Sequence, residues 1–86
     1  MQQSYTDNKS KLQKAISEII KTHRLEQNKS ISLVSNEIGM TKSMWADLEK
    51  SIKDPQLSTL WRIAEGLEIP LSTIIKAVSY THLTLP

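Results

Sequence analysis

The sequence predicts an all-α fold, a compact bundle of five helices, and three observations carry that expectation. Apolar residues recur three and four positions apart in five separate segments, and no stretch sustains the alternation of a strand. The chain has 86 residues, enough for one small domain whose modest core is most simply built by packing helices through short connections. Within it, Glu37 to Lys50 reads as the end of one helix, a tight turn at Gly39 and a second helix opened by Thr41.

Taken in order, residues 1–8 are polar and aperiodic, and are expected to be a flexible N-terminal arm. The folded domain is expected over residues 9–77. Leu12, Ala15, Ile16, Ile19, Ile20 and His23 share a helical period and give a first helix from about Asn8 to His23. Glu26 to Ser30 is a polar loop. Ile31, Val34, Ser35 and Ile38 define one face of a second helix, with Ser30 or Ser32 as its cap. Gly39 supplies the positive φ of the turn, which costs glycine almost nothing. Thr41 is placed to cap the third helix, which runs to Lys50 and turns Trp45 and Leu48 inward. Ser51 to Pro55 connects to a fourth helix whose apolar positions are Leu57, Leu60, Trp61, Ile63, Ala64 and Leu67; both tryptophans are expected in the core, with the border of an interface as the alternative for Trp61. Pro70 opens a short fifth helix through Leu71, Ile74 and Ile75. Val78 to Pro86 breaks the helical pattern. Those nine residues can be encoded without a gap by the transposase mosaic-end adapter used in sequencing libraries, so 78–86 is expected to be a non-native, translated-adapter tail.

Composition excludes several classes of function. There is no cysteine, hence no disulfide and no thiolate metal site, and His23 and His82 stand alone without companion ligands. No serine has the partners of a catalytic triad, and two glycines are too few for a phosphate-cradling loop. Neither an enzyme nor a cofactor is expected. No apolar run has transmembrane length and no signal peptide opens the chain, so a cytoplasmic location is expected. The net charge is only +2, but its placement is informative. Lys9, Lys11, Lys14, Lys21, Arg24 and Lys29 crowd the first third, and Lys42, Lys50 and Lys53 surround the third helix.

The helix, Gly39 turn and Thr41-started helix have the form of a helix-turn-helix. Together with Val34-Ser35, Ile38-Gly39, Thr41, Trp45, Leu48-Glu49, Pro55, Leu57, Leu60, Ile63-Ala64, Leu67 and Ile69, they resemble the Cro and phage-repressor (XRE) family of helix-turn-helix regulators. The likeness covers roughly Leu12 to Ile75. It implies a repressor-like bundle that binds double-stranded DNA with its third helix in the major groove. On that resemblance Lys42, Ser43, Met44 and Asp47 would meet base edges: Lys42 through guanine O6 or N7, Asp47 through cytosine N4, Met44 through a thymine methyl. Ser30, Asn36, Thr41, Lys50 and Lys53 would meet phosphates. The family's ion pair under the third helix would fall on Glu49 and Lys21, and a homodimer would form through Leu71, Ile74 and Ile75.

Two positions depart from the family pattern. Ile31 stands where a phosphate-gripping glutamine is common, and Ser51 where glycine usually follows the third helix. They favour one alternative to a repressor, an interaction domain, with a protein partner, that has lost DNA binding; the other alternative, independent of them, is an antitoxin subunit that binds DNA and a toxin.

Overall fold

A computed structural model describes the backbone of residues 2–79 and the side chains from Lys9 onward. Five helices are present among these residues: α1 (Gln2–Glu26), α2 (Ile31–Glu37), α3 (Lys42–Glu49), α4 (Leu57–Gly66) and α5 (Leu71–Ser79). α1 packs on α3 and α5, α2 on α3 and α4, and α4 on α5. The core is the set of inward positions that the periodicity marks: Ile16 and Ile20 of α1, Val34, Trp45 and Leu48 of α2 and α3, Leu60, Ile63, Ala64 and Leu67 of α4, and Ile74 of α5. Met40, in the turn between α2 and α3, is buried with them.

Four features differ from the sequence expectation. α1 begins at Gln2 rather than near Asn8. Residues 2–8 contain neither proline nor glycine, and extending a helix that is already nucleated costs little per residue. Trp61 is not in the core: it is 55% exposed, as is the side of α4 that carries Leu57, four residues before it. The inward stripe of α4 is Leu60, Ile63, Ala64 and Leu67, and Trp61 lies about 100° round the helix from Leu60. Ile74 is fully buried by its own chain, so it is not available to a partner; Ile75 is exposed and Leu71 half-buried. Finally, the helical pattern runs past Ala77. Val78, four residues after Ile74, packs against the core and Ser79 ends α5. The remainder of the expected tail lies outside the described residues.

The first four helices end in the same way. In each, the second residue after the helix sits in the left-handed region: Asn28 (φ 57), Gly39 (φ 67), Ser51 (φ 62) and Glu68 (φ 55). Its N–H and the next one fold back onto the last turn. Thus Gly39 N donates to Asn36 O and Met40 N to Ser35 O, and Ser51 N donates to Leu48 O and Ile52 N to Asp47 O. This is the Schellman arrangement, which satisfies carbonyls that a helix end would otherwise leave bare. Glycine supplies the residue only once in the four.

α4 also fixes the turn between α2 and α3. The Arg62 guanidinium donates to the carbonyls of Ile38 and Gly39. One turn later, at the end of α4, Gly66 lets Ile38 approach so closely that a methyl on Gly66 would overlap the Ile38 γ2 methyl. Opposite effects are therefore expected two residues apart. The left-handed region costs an L-residue roughly 1–2 kcal/mol, while glycine's chain entropy returns about 0.5–1 kcal/mol of that. Glu68→Gly should raise the melting temperature. Gly66→Ala should lower it, because overpacking costs about 1–3 kcal/mol against a helix-propensity gain of about 1 kcal/mol. Ile38→Ala in the same chain should recover part of the Gly66→Ala loss; thermal unfolding of the three variants checks both signs.

Candidate nucleic-acid interface

The exposed face of α3 is built by its cap and its period. Thr41 adopts an extended conformation, and its Oγ1 accepts from Met44 N–H at 3.1 Å. The helix then starts at Lys42, so Trp45 and Leu48 turn inward while Lys42, Ser43 and Met44 stand exposed. Asp47, one turn further, is half-buried. Ser43, Met44 and Asp47 share one cleft with Thr41 and with Lys53 of the α3–α4 connection. On the other flank of α3, Lys42 and Ser43 share a groove with Ser30 at the start of α2, and Lys42 shares a second with Ser30 and Asn36.

The cap of α2 is Ser30, which resolves the choice between Ser30 and Ser32: its Oγ accepts from Leu33 N–H at 3.0 Å. In both caps the hydroxyl oxygen accepts internally, so the O–H remains free to donate outward. Ile31 occupies the first position of α2 and leans on the core. The helix starts at Ile31 itself, and a polar grip from that side chain is absent. Leu33 is left on the outer surface.

Of the residues proposed from the sequence, Ser30, Asn36, Thr41, Lys42, Ser43, Met44, Asp47 and Lys53 thus line the two flanks of α3. Lys50 does not join them. It lies round the end of α3, in a separate groove against Lys14, Lys21 and Ser51 of α1 and the connection. Ser32, the other cap candidate, lines both grooves on the α2 side.

The ion pair beneath α3 is a correction. Glu49 pairs with Arg24, not with Lys21. Arg24 Nε donates to Glu49 Oε2 at 2.6 Å and Nη2 to Oε1 at 3.0 Å, a two-pronged contact with side chains only 10% and 7% exposed. The reason is geometric. Arg24 continues the inward stripe of Ile16 and Ile20 at four-residue spacing, whereas Lys21 points outward. That spacing was the signal available in the sequence. Arg24 Nη1 also donates to the Lys29 carbonyl at 2.9 Å, and Trp45 Nε1 donates to Glu49 Oε2.

Burial pushes the Glu49 carboxyl up, but the hydrogen bonds from Arg24 and Trp45 and the charges of Arg24 and Lys21 outweigh it and hold the group below its usual 4.5. Such a depressed carboxylate stabilises the fold above its usual value, and that contribution is lost as pH falls through the folded-state value. The stability difference between wild type and Glu49→Gln should therefore be constant near neutrality and shrink below pH 4.5. Urea unfolding of both proteins across that range checks the sign; a gap that widens in acid would contradict it.

Known proteins share this motif and this fold. Residues 20–74 match the helix-turn-helix family HTH_3. The HTH-type transcriptional regulator SutR of Escherichia coli K12 is 34% identical over 64 residues, which is 74% of this chain and 36% of that protein. The chain therefore spans about a third of the length of the curated relative it matches. Among solved structures, an HTH_3 family transcriptional regulator from Vibrio cholerae superposes with a TM-score of 0.75 at 26% identity, over 79% of this chain and 38% of that one. The clp gene regulator ClgR of Corynebacterium glutamicum has the same fold, with a TM-score of 0.75 at 11% identity over 86% of this chain and 96% of its own.

Proposed function

Because this chain belongs to the helix-turn-helix family HTH_3, we propose that it binds double-stranded DNA in a sequence-specific manner and regulates transcription, as a repressor. The observation that carries the reading is the division of α3: Trp45 and Leu48 lock one side into the core while Lys42, Ser43 and Met44 project from the other. An α-helix presented in this way fits the major groove. Lys42 donates to guanine O6 or N7, Asp47 accepts from cytosine N4, and Ser43 and Met44 complete the readout, Met44 against a thymine methyl. The free O–H groups of Ser30 and Thr41, the Asn36 amide and the Lys53 ammonium hold phosphates on either flank. The relative named as a transcriptional regulator supports the regulatory role.

A single domain of this size covers little DNA, so a homodimer on two half-sites about 34 Å apart completes the proposal. Its contact on α5 would use Ile75 and the exposed part of Leu71. No helix among the described residues is long and apolar enough to cross a membrane, in keeping with a regulator that meets DNA in the cytoplasm.

Lys42→Ala is expected to change which sequence is preferred. Lys53→Ala is expected to weaken binding to all sequences alike and to reduce the salt slope by roughly one unit. Selection of bound sequences from a random duplex pool, followed by titration at several salt concentrations, separates the two. Equal and sequence-blind losses would remove Lys42 from readout, and no duplex binding by wild type would overturn the proposal.

A further inference from the structure

We infer that α1 supplies a second phosphate-binding stripe, which crosses its seam with the α3–α4 connection: Lys9 on one side, beside Asp54, and Lys14 on the other, in the groove it shares with Lys50 at the end of α3, together grip the DNA backbone beyond the one held by Lys53. The inference rests on the DNA-binding reading above and extends it to a helix outside the helix-turn-helix.

The α3–α4 connection is a wall shared by two surfaces. On one side Lys53 and Asp54 line the cleft that carries Met44 and Asp47. Asp54 also lies 3.9 Å from the Lys9 ammonium, so α1 reaches this same connection. α1 is fastened there. The hydroxyls of Ser17 and Ser51 are 2.8 Å apart, and the Ser51 hydroxyl lies 3.5 Å from the Gln13 carbonyl. The positive φ of Ser51 turns the chain back toward α1 at this point. Between α1 and the end of α3 runs a groove on which Lys14, Lys21 and Lys50 converge.

The charges of this groove are unevenly neutralised. Of its two acids, Glu49 is already engaged by Arg24, which leaves Glu18 against three lysines. Among the described residues, neither Lys14 nor Lys50 has an acid within ion-pair distance. Lys9 and Asp54 are 47% and 63% exposed, and an exposed pair of this kind holds its partners weakly. Lys9 is therefore free to exchange Asp54 for a phosphate. Lysines on a rigid helix present point charges with no base selectivity, which suits backbone contact and not readout. Each phosphate so neutralised releases counterions and steepens the dependence of binding on salt.

The test is the salt dependence of binding by the whole chain to a mixed-sequence duplex long enough for two half-sites. The double variant Lys9→Gln, Lys14→Gln should flatten the logarithmic slope by roughly two units, at about 0.9 per contact. Lys9→Arg, Lys14→Arg should keep the wild-type slope. Lys76→Gln, on α5, should also leave it unchanged. Glutamine matches lysine closely in helix propensity, and a thermal melt confirms that each variant is folded. An unchanged slope in the folded glutamine double variant overturns the stripe, as does an equal flattening per lysine in Lys76→Gln, which would mean net charge and not a site. Wild type with no salt-dependent duplex binding overturns the DNA-binding reading itself, and the stripe with it.

Discussion

The rest of the structure depends on one guanidinium. Arg24 joins the end of α1 to the end of α3 through Glu49 and to the start of the α2 segment through the Lys29 carbonyl. Removing two charges from water is expensive, and such a pair is tolerable only when its hydrogen bonds are complete. Here they are: both carboxylate oxygens are engaged, and Trp45 adds a third donor from one turn earlier on α3. Lysine in the same place could not form the fork, because an ammonium is a point charge without a planar pair of donors. The pair fixes the roll of α3 about its axis, and that roll decides which residues of the helix face outward.

A second constraint works at the helix ends. Four of the connections reverse the chain within two residues by a left-handed step, and apolar residues follow three of these steps: Met40, Ile52 and Ile69. Met40 and Ile69 return to the core, as a Schellman end commonly requires. After α1 the corresponding residue is Lys29, which instead reaches Glu37 at 3.0 Å and the Gly66 carbonyl at 3.3 Å, while Gln27 donates to the Leu67 carbonyl. The α1–α2 connection is thereby tied across to the end of α4. Helices as short as α2 have little stability of their own, so their placement comes from these tethers and from the core beneath them.

Much of this was legible in the sequence. The Gly39 turn, the Thr41 cap and the inward Trp45 each follow from a local rule with one dominant cause. The misplacements have other origins. Periodicity says that a stripe is apolar but not where its edge falls, and Trp61 sits just past that edge. The Lys21 assignment has another source: the family pattern asks for a basic residue on α1, and only the four-residue spacing of Ile16, Ile20 and Arg24 says which one turns inward. Ile74 illustrates a third limit: two adjacent isoleucines read alike in sequence, and only packing against α1 and α4 tells which one is covered. The start of α1 carries no apolar signal at all. As for the candidate site, the residues on both flanks of α3 could be named from the motif, whereas the separation of Lys50 from them depends on how α1 passes the end of α3.

The two tryptophans make the molecule its own optical instrument. Trp45 is fully buried beneath α3 with its indole N–H on a carboxylate, while Trp61 is 55% exposed on the far side of α4. Emission from the chain is therefore the sum of a shielded blue component and a hydrated red one. A soluble quencher reaches the second and not the first. What survives quenching watches the underside of α3 and its ion pair without any attached label, and what is quenched watches the surface where α4 meets Glu37 and Ile38.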